Sequence, residues 1–149
     1  MIWHVEICLK SIFERGRDYP WERPGSCPRC QNYRVWGHGF AFRYFDGFPD
    51  RLLMKCYRCP ECGCVITARP TSHFRYVRCR IEAIRSHLKE RLSTGRWPPG
   101  PLARSRLRHW LANLKRQAQA YLTSTWAFGL LAGFDEFRDN RRIPVARVR

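Results

Sequence analysis

Two short runs hold the residues best suited to chemistry, Cys27-Pro28-Arg29-Cys30 and Cys59-Pro60-Glu61-Cys62-Gly63. In each, a proline lies in the turn between two cysteines, so both thiols leave the corner on one side. Two such corners facing each other supply four thiolates in a tetrahedron, the donor set of a structural zinc site. Gly63 fits this reading, because the residue just past the second cysteine of such a corner often takes a positive φ. The 28 residues between Cys30 and Cys59 exceed a compact finger and suit a β-hairpin that returns the second corner to the first. The expected cofactor is one structural Zn2+ held by Cys27, Cys30, Cys59 and Cys62. Cys56/Cys59 and Cys62/Cys64 are the competing pairs. Cys62-X-Cys64 is tight for a knuckle, and Cys56-Tyr57-Arg58-Cys59 lacks the proline and glycine. Cys8, Cys56, Cys64 and Cys79 read as small buried hydrophobes.

Eight cysteines could instead make four disulfides. The chain opens Met1-Ile2-Trp3-His4, without the charged region, apolar stretch and cleavage site of a secretory signal. The expected setting is therefore a reducing one, a cytoplasm. There, Cys-X-X-Cys pairs bind metal or do redox chemistry, and no βαβ pattern surrounds either pair as a thioredoxin-like site would require.

Other reactive groupings are missing. The twelve carboxylates are scattered, and the local group Asp135, Glu136 and Asp139 reads as a solvated helix end. A two-metal phosphoryl-transfer site needs carboxylates gathered from distant segments. No glycine-rich phosphate loop or serine nucleophile with a histidine base appears. Four thiolates would also leave a zinc no open position for substrate. The expectation is a binding protein and not an enzyme.

Charge points to the partner. Lys+Arg number 28 against 12 Asp+Glu, a net of +16 on 149 residues, which predicts a polyanion held through counterion release. Nucleic acid is the expected partner, with duplex DNA favoured over RNA. A membrane is not expected, since no run of about 18 apolar residues occurs. Arginine outnumbers lysine 24 to 4, which suits forked phosphate and guanine contacts.

The elements that would position these groups follow from periodicity. Residues 2–9 alternate as a half-buried strand, and 11–26 read as a loop. Aromatic segments at 33–37 and 40–45, a turn at 46–50, and strands at 51–58 and 65–68 make an antiparallel zinc ribbon. Its Arg34, Arg43, Arg51, Lys55 and Arg58 could touch phosphate. From Arg75, an apolar stripe of Val77, Ile81, Ile84, Leu88 and Leu92 predicts an amphipathic helix, with Arg75, Arg78, Arg85 and Lys89 on another face. Prolines and glycines around Arg96 end it, and a second helix follows Pro101. Leu107, Trp110, Leu111, Leu114, Ala118, Tyr121 and Leu122 mark its buried side. Arg104, Arg108 and Lys115 lie opposite, and Arg106, His109, Asn113 and Arg116 form an adjacent stripe with the chemistry for base edges. Residues 126–137 are very apolar, either a third helix in the core or a surface for a partner or a second copy. Arg141 and Arg142 open a basic tail suited to a groove or a single strand.

Expected organisation is α+β: an N-terminal strand and loop (1–26), the ribbon (27–70), a basic helical module like a helix-turn-helix (71–125), and an apolar segment with the tail (126–149). Residues 27–122 resemble the zinc-ribbon and helix-turn-helix head of bacterial insertion-sequence transposases and related small transposon-encoded proteins. The resemblance lies in the two cysteine corners, Tyr57-Arg58 before the second, Arg69-Pro70 after it, and the helix from Arg75. It implies that Cys27, Cys30, Cys59 and Cys62 are metal ligands, and that the helical unit binds DNA as an accessory or regulatory protein of a mobile element, in the bacterial cytoplasm and associated with the nucleoid. Nothing matches a transposase nuclease core. An RNA-binding subunit of a ribonucleoprotein, stacking bases on Trp36, Phe40, Phe42 and Tyr44, is the alternative.

Overall fold

A computed structural model describes residues 1–122 and 128–148. The chain forms two compact units, Met1–Arg80 and Ile81–Arg149. The fold is α+β, with four strands in one mixed sheet and four α-helices among the described residues.

In the first unit, β1 (Ile2–Val5), β2 (Trp36–Arg43), β3 (Leu52–Arg58) and β4 (Val65–Pro70) lie in the order β1-β4-β3-β2. The β2–β3 and β3–β4 pairs are antiparallel, as the hairpin reading required. β1 adds to β4 in parallel, pairing Ile2 with Thr67 and Val5 with Pro70. The sheet is therefore not a purely antiparallel ribbon, because the N-terminal strand is built into it. A bulge between Gly37 and Phe40 merges the two expected aromatic strands into β2, with Gly39 at φ 75° supplying the backbone conformation a side chain resists.

Two cores flank the sheet. Cys27, Val35, Tyr57, Cys59, Cys64 and Ile66 form one, with Trp3 against them. Leu9, Ile12, Phe45, Leu52 and Met54 form the other. Leu9 and Ile12 belong to α1 (Leu9–Arg15), a helix where a loop was expected. The spacing Leu9, Ile12, Phe13 is helical, but the alternation of residues 2–9 assigns Leu9 to the strand.

The helix expected from Arg75 begins at Ile81, as α2 (Ile81–Thr94). Two features keep 75–80 out of it. Arg69 is 6% exposed, and its guanidinium donates to the carbonyls of Phe74 (Nε 3.0 Å, Nη2 2.8 Å) and Val77 (2.7 Å), which a helix would need for itself. Tyr76 holds φ at 64°, outside the helical region.

In the second unit α2, α3 (Arg104–Tyr121) and α4 (Gly129–Asp139) pack on one another. Ile84 and Leu88 from α2, Leu107, Trp110 and Leu114 from α3, and Phe134 and Phe137 from α4 are buried. The apolar segment thus serves as core through Phe134 and Phe137, while Trp126 lies outside the described residues. Tyr121, expected inside, is 44% exposed. No helix among the described residues is long and apolar enough to cross a membrane.

Candidate metal centre

The two cysteine corners fold alike. In the first, the Cys27 N–H donates to the Asn32 carbonyl at 2.8 Å; in the second, the Cys59 N–H donates to the Cys64 carbonyl at 3.0 Å, again five residues on. The residue after the second cysteine is left-handed in both, Gln31 at φ 62° and Gly63 at φ 65°. Glycine adopts this freely, whereas a glutamine there costs about 1 kcal/mol. In the first corner the Gln31 N–H closes onto the Cys27 carbonyl at 2.9 Å, and the Arg29 N–H lies 3.5 Å from the Cys27 sulfur.

These corners bring all four sulfurs within 4.8 Å of one another. Cys27 Sγ lies 3.6 Å from Cys62 Sγ and Cys30 Sγ lies 3.5 Å from Cys59 Sγ, so each corner's first cysteine meets the other's second. A tetrahedron with metal–sulfur bonds of about 2.3 Å has sulfur–sulfur edges of about 3.8 Å. The quartet fits a single tetrahedral metal. All eight cysteines are free of disulfides. Cys27 and Cys59 are buried in the core with Val35, Tyr57 and Ile66, while Cys30 is exposed, so the site is anchored on one side and reachable on the other.

The thiols share protons unequally. Burial works to raise Cys27, but N–H groups of Cys30 and Arg29 and the neighbouring thiols outweigh it and bring its pKa down to about 6. At Cys30 the Asn32 N–H favours the thiolate, yet burial and the three other cysteines push the thiol up to about 12. Cys62 is also raised: the Cys64 N–H works against the shift, and burial with Cys27 and Cys59 prevails. Cys27 is thus favoured as the thiolate, while Cys30 and Cys62 hold protons that a bound cation would displace.

The competing pairs separate cleanly. Cys56 Sγ sits 3.6 Å from the Thr67 hydroxyl, and Cys64 Sγ lies 3.7 Å from the Val65 carbonyl. Among the described residues, Cys27, Cys30, Cys59 and Cys62 form the one clustered ligand set. Cys56, Cys64 and Cys79 are buried, and Cys8, expected inside, is exposed.

The basic residues divide between surface and interior. Lys89 on α2, Arg96 in the connector, and Arg104, Arg108, His109, Lys115 and Arg116 on α3 are exposed, as are Arg75 and Arg78 in the first unit. Arg96, Arg104 and Arg108 meet around a cleft of about 430 Å3 together with Arg91 and Trp97. Arg91 stacks on Trp97 at 5.5 Å. No role was read for Arg91 in the sequence, although its place one turn before the break was a usable signal.

Three expectations need correction. Asn113 is fully buried; its Nδ2 donates to the Val145 carbonyl at 2.9 Å and its Oδ1 accepts from Arg116 at 3.4 Å. Arg106 is half-buried with its guanidinium 5.3 Å over Trp110, so the stripe of Arg106, His109, Asn113 and Arg116 is not a continuous exposed surface. Arg85 grips Asp135 through two bonds of 2.8 and 2.6 Å. That hydrogen-bonded pairing lowers the Asp135 pKa, so Asp135 is no solvated helix end.

The tail is not a free arm. Gln117 Nε2 donates to the carbonyls of Ile143 (3.4 Å) and Ala146 (3.2 Å), and Val145 is 4% exposed. Arg141 and Arg142 stay exposed, Arg142 lying 4.0 Å over the Tyr121 ring. Comparison with protein-family models, curated proteins and solved structures finds no match to this chain.

Proposed function

We propose that this chain is a zinc-stabilised DNA-binding protein, acting as an accessory or regulatory component of a mobile genetic element and carrying no catalytic core of its own. Four thiolates favour zinc among the divalent metals of a reducing compartment. When bound, the metal supplies folding energy, and the two corners, already shaped by their own hydrogen bonds, hold it.

One observation carries the nucleic-acid reading: Arg104, Arg108 and Lys115 line an exposed face of α3 over about 16 Å, and Arg96 joins Arg104 and Arg108 at the cleft near its start. This favours phosphate contacts over base reading. Asn113 has its hydrogen bonds inside the fold, and phosphate contacts fix register without selecting sequence. The connector of nine residues between α2 and α3 is longer than a helix-turn-helix turn of about 3–4 residues. The helix-turn-helix likeness therefore concerns the presentation of α3 by α2, not the tightness of the turn.

A second reading has its own support. Trp36, Phe42 and Tyr44 are 59%, 50% and 52% exposed, which leaves rings for stacking on an RNA partner. Titrations of duplex DNA, single-stranded DNA and structured RNA across a salt series separate the two. The expected result is a duplex advantage, with Arg104→Ala, Arg108→Ala and Lys115→Ala each weakening all duplex sequences alike and reducing the salt slope by about 1. Equal or tighter RNA binding would transfer the conclusion to the ribonucleoprotein reading.

A further inference from the structure

The first unit carries a cleft of about 340 Å3 lined by Arg43, Tyr44, Arg69, Arg75, Tyr76 and Arg78, with no carboxylate in its lining. Arg43, Arg75 and Arg78 are exposed; Arg69 is buried and bonded to the carbonyls of Phe74 and Val77, which fixes the segment bearing Arg75 and Tyr76. Two of the exposed arginines lie against rings, Arg75 at 4.5 Å over Tyr76 and Arg78 at 5.0 Å over Tyr44.

Tyr76 is the unusual member. It is 77% exposed and sits at φ 64°, a conformation that a bulky side chain adopts only at a cost. With so little of the ring buried, packing does not repay that cost, and glycine would serve the backbone better. The strain aims a flat ring, backed by an arginine, into a cationic cleft.

We infer that this cleft is a second nucleic-acid subsite, which takes an unpaired nucleotide of a DNA strand with its phosphate on Arg43, Arg75 and Arg78 and its base stacked on Tyr76. The ligand class rests on the nucleic-acid reading above, while the site and the residues are separate from α3. Charge complementarity accounts for the phosphate, and an aromatic face accepts any base. The subsite is therefore selective for unpaired bases and tolerant of sequence.

The test uses the full chain in its metal-bound form and a fluorescent ten-residue oligothymidylate. An abasic strand of equal length, thymidine monophosphate and duplex DNA are measured in parallel. Tyr76→Gly should weaken oligothymidylate binding about tenfold while leaving the thermal midpoint equal or higher, because glycine relieves the backbone. Wild type should bind the abasic strand more weakly by a similar factor, and the variant should not change that affinity. Arg75→Gln with Arg78→Gln should weaken both strands. Equal oligothymidylate affinity in wild type and Tyr76→Gly would overturn the inference, as would an abasic strand that binds as tightly as the thymidylate one. Thymidine monophosphate competing at concentrations comparable with the oligonucleotide would assign the cleft to a free nucleotide and overturn the strand assignment. Duplex binding that persists through such a result leaves the function proposed for α3 standing, whereas loss of duplex binding in the α3 variants does not depend on Tyr76.

Discussion

His73 is 1% exposed, its Nδ1 3.0 Å from the Ser72 hydroxyl and its ring edge-on to Phe45 at 4.9 Å. Burial first, then the positive charges of Arg69 and Arg80, push its pKa down from 6.5 to about 4, with Asp46 opposing. The unfolded chain therefore binds a proton that the folded one refuses between these values. Stability from this residue is full above pH 6.5 and is lost as pH falls towards 4, on the order of 3 kcal/mol in all. Acid also protonates the cysteine ligands, so the informative quantity is a difference. Urea unfolding of wild type and His73→Phe at several pH values should show wild type losing more stability on acidification. Parallel slopes would mean that His73 is not what couples this segment to pH. Its role was not legible in the sequence, because burial of a lone histidine is set by Phe45 and Arg69 arriving from elsewhere in the chain.

At the scale of elements, what could be read in advance was what the chain encodes locally. The cysteine corners are short repeats whose geometry depends on their own residues, and both appear as expected. The turn at 46–50 and the strands on either side of it were legible for the same reason. The start of α2 was not. Val77 continues the apolar stripe, yet Arg69 takes the carbonyls of Phe74 and Val77, a tertiary contact that no periodicity records. The face of α3 differs from the expected stripe at Asn113, which has the chemistry of a surface residue and in fact joins Gln117, one turn on, in clamping the tail. A polar pair at that spacing beside Leu114 is ambiguous until its partners are known. Asn113→Ala leaves the Val145 carbonyl without its donor in a buried place, and should cost about 2 kcal/mol. Denaturant midpoints should fall accordingly, while the ratio of affinities for different duplex sequences stays constant. A change in that ratio without loss of stability would return Asn113 to the role of base reader.

For the whole molecule, the charge is spread over both compact units: residues 1–80 carry fourteen basic and seven acidic side chains, and residues 81–149 carry fourteen and five. Their sources of stability differ. Val35, Tyr57 and Ile66 pack around Cys27 and Cys59, so the core on one face of the sheet includes the ligands themselves. Without a cation, the two corners lose the tie between them. The helical unit instead buries Leu88, Leu107, Leu114 and Phe134 and adds the Arg85–Asp135 fork, none of which involves a cysteine. Adding a strong chelator to the reduced full-length protein should therefore remove hydrogen-exchange protection first around 27–35 and 56–66, then through β3 and β4, while α2, α3 and α4 keep theirs. Metal analysis should give one ion per chain for wild type, Cys56→Ala and Cys64→Ala, and none for Cys59→Ala. Simultaneous loss of protection in the helices would mean that they depend on the metal site for their fold. Unchanged protection throughout would mean that the quartet needs no metal, and that strand pairing, the corner hydrogen bonds and the packing of Val35, Tyr57 and Ile66 suffice to hold this part of the sheet.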